Sequence, residues 1–190
     1  MQYVGSSSRL MRIDTPVGLL MGLYLRDAAG LEPVVAVEVP AVVPAVEIRA
    51  DLAPLAVPAA SVQWARWWDQ ELARQDGPGR GFHRPDRGFK GAELGALVDA
   101  CHDDAARWSA DRHHEASPLR TPGSENGLVA AVEAEIGRRA RPFELTITVL
   151  PVAGSAGWRV SAGHVVVSRA FRADKAAYRQ WLRQVIRESA

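Results

Sequence analysis

The chain has 190 residues, 47% hydrophobic and 24% charged, with 23 basic against 22 acidic side chains. That is the composition of an ordinary globular protein, long enough to bury a core without a disulfide or metal staple. A single cysteine, Cys101, excludes an internal disulfide and a multi-thiolate zinc site, so a reducing cytoplasm is the expected compartment.

The segment 1–60 is rich in Val, Ala and Pro. Arg9 and Arg12 precede the apolar run Val17 to Leu25, but Arg26 and Asp27 stand where a signal peptide needs small residues, which argues against export. No segment has the roughly 20 apolar residues of a spanning helix, so no membrane contact is expected. RLMRID (9–14) reads as a strand. VGLLMGLYLR (17–26) fits a buried strand hairpinned with it, although Asp14-Thr15-Pro16 would also start a helix. VVAVEV (34–39) and AVEIRA (45–50) read as further strands bounded by prolines.

The middle, 61–141, reads as helical. Ser61 is placed to cap SVQWARWWDQELARQ, and Gly77-Pro78-Gly79 to stop it. A second helix over about 91–115 carries the stripe Leu94, Leu97, Val98, Cys101, Ala105 and Trp108. A third turns Leu128, Val129, Val132 and Ile136 inward and has Arg138, Arg139 and Arg141 at its end, where cations suit the helix dipole.

In 142–190, FELTITVLPV (143–152) alternates as a strand. WRVSAGHVVVS (158–168) reads as another, interrupted by Gly163. Asp174 caps a final helix with two faces. Tyr178, Trp181, Leu182, Val185 and Ile186 make its apolar stripe, and Lys175, Arg179, Arg183 and Arg187 a cationic one. The fold class is therefore α+β: one domain over 1–190, its mixed or antiparallel sheet built from both ends of the chain and covered by about four helices.

Charge is distributed unevenly. Residues 138–190 hold ten basic and three acidic side chains, a surplus of +7, whereas 1–137 carry −6. This predicts an anionic partner for the basic part, or a basic surface docked on the acidic helix around Asp99 to Asp111. Lys90 and Lys175 are the only lysines, a skew that points to a high-GC bacterial genome and makes arginine the default cation.

Four constellations are candidates for chemistry. The cationic stripe Lys175, Arg179, Arg183 and Arg187 is offset locally only by Glu188. GPGRGFHRPDRGFKG (77–91) interleaves Arg80, Arg84 and Arg87 with Phe82 and Phe89, a pattern that suits stacking and phosphate neutralisation as well as a surface linker. Trp64, Trp67 and Trp68 cannot all point one way from a helix, so Trp67 is a candidate interface residue beside a tryptophan core. Asp99, His102 and Asp103 share a helix face, but one Asp-x-x-His is not a specific metal signature, and no cofactor or metal is expected.

No nucleophile elbow, dinucleotide fingerprint or P-loop occurs. The expected function is that of a non-enzymatic interaction or adaptor protein, meeting an acidic protein surface through the final helix and the 77–91 loop. A nucleic-acid-binding module using the same cations is the alternative. An enzyme of unrecognised class, with a pocket near His83 or His164, is the third reading.

Overall fold

The structure is a computed structural model that describes residues 2–4, 9–75, 91–120, 125 and 127–189. Strand β1 (Gln2–Val4) pairs antiparallel with β2 (Arg9–Asp14), so the hairpin partner of β2 lies before it in the chain. The apolar run after β2 is a helix, α1 (Val17–Ala29), rather than the expected strand. Pro16 stands at its N-cap, and the left-handed Gly30 closes it by donating to the Asp27 carbonyl. Residues 19 to 26 are all buried, because α1 is covered on every side. A helix buried all round loses its polar stripe, and with it the periodicity that marks a helix.

The two expected strands at 34–39 and 45–50 do not form. Between α1 and the next helix the chain makes one isolated bridge, Val42 to Val152, and a short 3-10 turn at Ala50–Leu52. Prolines at 33, 40, 44 and 54 remove the donors a ladder needs.

Helix α2 (Pro58–Arg74) starts three residues before the predicted Ser61 cap, with Pro58 in the first turn. Its stop at Gly77-Pro78-Gly79 lies outside the described residues. Helix α3 (Ala92–Glu115) matches the prediction and buries Leu94, Leu97, Val98, Cys101 and Ala105. It leaves helical geometry at Cys101 (φ −138°, ψ 19°). Helix α4 (Leu128–Ile136) lies between the positive-φ residues Gly127 and Gly137, so Arg138, Arg139 and Arg141 follow the helix instead of forming its last turn.

Strand β3 (Phe143–Leu150) then enters the sheet parallel to β2. The segment 158–168 is a hairpin, not one interrupted strand: β4 (Gly157–Ser161) turns at Ala162-Gly163 into β5 (His164–Ser168). Strand β5 pairs parallel with β3, giving a five-stranded mixed sheet in the order β1-β2-β3-β5-β4. Both ends of the chain thus share one sheet, as predicted, and the architecture is α+β. A one-turn helix α5 (Arg169–Ala173) leads into α6 (Lys175–Ser189), whose first turn is capped by Asp174 accepting from the Ala177 N–H at 3.1 Å.

Two apolar clusters flank the sheet. Met11, Ile13, Leu145, Ile147, Val149, Val165 and Val167 pack under α4 and α6. Leu150 and Val166 pack with α1, α2 and α3 on the opposite face.

Candidate interaction site

Helix α6 sorts its residues as its periodicity predicts. Tyr178, Leu182, Val185 and Ile186 are buried against the sheet and α4. Lys175, Arg183 and Arg187 are exposed and Arg179 is half-buried. The acidic partner for this face inside the fold is not the helix around Asp99 to Asp111 but Glu135 of α4. Arg187 Nη2 meets Glu135 Oε2 at 2.5 Å, and Arg183 lies 3.8 Å from Glu135 Oε1. Glu188 is held from the other side by Arg159 Nη1 of β4 at 2.9 Å.

Arg183 and Arg187 border a hollow of about 640 Å³ between α4 and α6. Phe171, Trp181, Gln180, Gln184, Arg183 and Arg187 line it. Half-buried Trp181 meets Phe171 edge-on, with ring centres 5.6 Å apart. Phe171 in turn stands edge-on to Tyr178 at 6.1 Å. These contacts hold a large amphipathic ring in place beside two guanidinium groups, a combination typical of protein-binding hot spots. Arg138 and Arg139 are exposed within one turn of Glu135 in sequence, adding cations at the end of α4.

Beneath this face lies a polar group that sequence reasoning missed. Glu125 Oε1, fully buried, accepts from Arg172 Nε at 3.1 Å, from Arg172 Nη2 at 2.9 Å and from the Tyr178 hydroxyl at 2.8 Å. Burial, and then the Glu125 charge, push the Tyr178 hydroxyl well above the ordinary phenol range, so it stays a proton donor to the carboxylate. Arg172 was legible only as one of many arginines. Nothing local to Glu125 marks it as buried.

Trp67 is not an interface residue. It is 3% exposed and packs at 6.4 Å from Trp64 and 6.3 Å from Trp68, while Trp64 and Trp68 stack at 5.0 Å. Three indoles fit because Gly22 of α1 has no side chain: a Cβ there would stand 2.0 Å from Trp67 Cζ3. The Trp64 indole N–H donates to the Gly22 carbonyl at 2.7 Å. Arg80, Arg84 and Arg87 lie outside the described residues, as does His83.

His164 is fully buried, and its Nε2 lies 2.9 Å from the Thr148 hydroxyl, a bond that serves the packing of β3 and β5. Cys101 donates its thiol proton to the Leu97 carbonyl, and burial pushes its pKa up to about 11, which makes it a poor nucleophile. His102 Nδ1 is 3.2 Å from Asp103 at an exposed site. Among the described residues no group of three His, Cys, Asp or Glu side chains is arranged to hold a metal ion. Among those residues, too, no helix is long and apolar enough to cross a membrane. Comparison with protein-family models, curated proteins and solved structures gave no match.

Proposed function

We propose that the chain is a non-enzymatic interaction protein of the bacterial cytoplasm that grips an acidic protein surface with the outer face of α6. The hollow between α4 and α6 carries this reading. It brings the braced Trp181 into one lining with Arg183 and Arg187, with Gln180 and Gln184 as further hydrogen-bonding groups. Trp and Arg dominate the energetics of protein interfaces, and the cations select an acidic surface and speed its approach. A nucleic acid is the less favoured partner. Glu135 and Glu188 already offset part of the positive charge on this face, whereas phosphate binding gains strength with every cation left to displace counterions.

The test compares a poly-glutamate peptide with a short DNA duplex, followed by fluorescence anisotropy from low to high salt. Preferential binding of the peptide, weakened by about tenfold or more in the triple variant Arg179→Glu, Arg183→Glu, Arg187→Glu, is the expected result. Absence of peptide binding at low salt would overturn the proposal. A preference for the duplex with a steep salt slope would replace it with the nucleic-acid reading.

A further inference from the structure

The fold carries two rows of opposite charge that do not meet. Helix α6 lies on one side of the sheet, and α3 lies with α1 and α2 on the other. The α6 cations of a molecule therefore cannot reach its own α3 carboxylates, and Glu135 is the internal partner they find instead.

The α3 row is open to solvent. Asp99, Asp103, Arg107 and Asp111 recur at four-residue intervals along it, and all four are exposed. The Asp103 side chain is 95% exposed and meets only His102, at 3.2 Å. Among the described residues Asp99 and Asp111 have no ion-pair partner. Arg107, the cation in the row, is turned onto Asp104 at 3.1 Å. By itself such a stripe is an ordinary solvated helix face. Its match to α6 gives it a partner.

The match is one of length, spacing and obstruction. Asp99 and Asp111 stand twelve residues apart, as do Lys175 and Arg187, so each row is roughly 18 Å long. Set antiparallel, the rows bring Lys175, Arg183 and Arg187 opposite Asp111, Asp103 and Asp99. Arg107 then falls opposite Arg179, the half-buried member of the α6 row, whereas a parallel setting would put it against the exposed Arg183. The intervening exposed side chains are small: Ala100 and Ala110 on α3, Ala176 and Ala177 on α6. Nothing long and apolar holds the two helices apart.

The geometry points to a second copy of this chain as the acidic partner of α6, with the cationic row of one molecule docked along the carboxylate row of α3 in the next. This inference rests on the reading given for α6 and names its occupant. The complementary row is present in equal number on every molecule. A net charge of +1 sets little long-range repulsion between copies. The contact is heterologous: each docked pair leaves one free row of either sign, so association continues past the dimer unless a ring closes. Because both rows are exposed, salt screens the contact.

Sedimentation equilibrium of the full chain at low ionic strength tests this. The average mass should rise with concentration past that of a dimer, and fall on adding salt or poly-glutamate, which occupies α6. The α3 reversal Asp99→Lys, Asp103→Lys, Asp111→Lys and the α6 reversal Arg179→Glu, Arg183→Glu, Arg187→Glu should each weaken self-association about tenfold or more. An equimolar mixture of the two variants should stop at a one-to-one pair, because the mixture contains one intact row of each sign. The α3 variant should still bind poly-glutamate at least as well as wild type. A wild-type chain that binds poly-glutamate yet stays monomeric would overturn the second copy as partner while leaving the α6 reading intact. Self-association indifferent to the α3 reversal and to poly-glutamate would overturn it in favour of another contact. Failure to bind poly-glutamate at all, in a chain that is also monomeric, would overturn both.

Discussion

Under α4 and α6 the central strands present apolar side chains, Met11, Ile13, Leu145, Ile147, Val149, Val165 and Val167, with Phe143 half-buried beside them. Under α1, α2 and α3 the same strands present Arg12, Thr146, Thr148 and His164, all buried. There Arg12 Nη2 and the Thr146 hydroxyl both donate to the Gln75 carbonyl, and Thr148 joins His164 across β3 and β5. The first face is stabilised by area removed from water, which has no direction, so neighbouring packings differ little in energy. The second face adds bonds of fixed length and angle, whose buried members are costly to leave unmet. Both sides of the sheet are stabilised by apolar burial, the α1–α3 side by the larger cluster, and that side adds the directional polar contacts that fix a unique register.

That contrast can be broken most severely at the deep polar group formed by Glu125, Arg172 and Tyr178 on the α6 side. Replacing Glu125→Ala removes the carboxylate that meets the buried Arg172 charge, and should cost about 3–5 kcal/mol in urea unfolding. Adding Arg172→Met should restore most of the loss, because an apolar pair suits that side. Next in size is Gly22→Ala, whose Cβ collides with Trp67. It should cost about 1–3 kcal/mol, read as a lower unfolding midpoint with altered tryptophan fluorescence. On the polar face Thr148→Val keeps the volume but removes the hydroxyl that meets His164 Nε2, an expected loss of about 1–2 kcal/mol by the same measurement.

The smallest effect concerns Cys101. Its thiol should resist a maleimide reagent near neutral pH while the chain is folded, and react once it is unfolded. The sign of the pH effect follows from its raised pKa, about 11 against an ordinary 9.0. The folded state keeps a proton that the unfolded chain gives up, so this contribution to stability is complete below pH 9 and is lost as pH rises toward 11.

Helices α2, α3 and α6 were legible because each has one wet face and so a periodic apolar stripe, whereas strand β3, buried on both faces, was legible from its alternating β-branched residues. Helix α1 was misread because burial on all sides erased its period. The better signal was composition: Gly18 to Leu25 contains Leu, Met and Tyr but no β-branched residue, which favours a helix over a strand. The Pro-rich segment was misread for the opposite reason. Its sequence alternates, but strands are defined by partners, and among the described residues neither Val34 nor Val37 joins a ladder. For the candidate sites, the cationic stripe of α6 followed from spacing alone. Its pairing with Glu135, the burial of Trp67 behind Gly22 and the Glu125–Arg172–Tyr178 group depend on contacts between residues far apart in the chain, which a single sequence does not encode locally.

The departure of α3 from helical geometry at Cys101 has a thermodynamic consequence. Beyond it, the last turns of α3 touch both sides of the sheet. His113 Nδ1 donates to the Thr15 carbonyl just before α1, at 2.7 Å. Arg169, the first residue of α5, donates to the Arg112 carbonyl at 2.6 Å and pairs with Glu115 at 3.2 Å. Two apolar clusters separated by a sheet are free in principle to melt in sequence, each with its own transition. A bent helix bonded to the elements that open both layers removes that freedom. Loosening either side withdraws support from the other, so heat or denaturant should meet one cooperative unit.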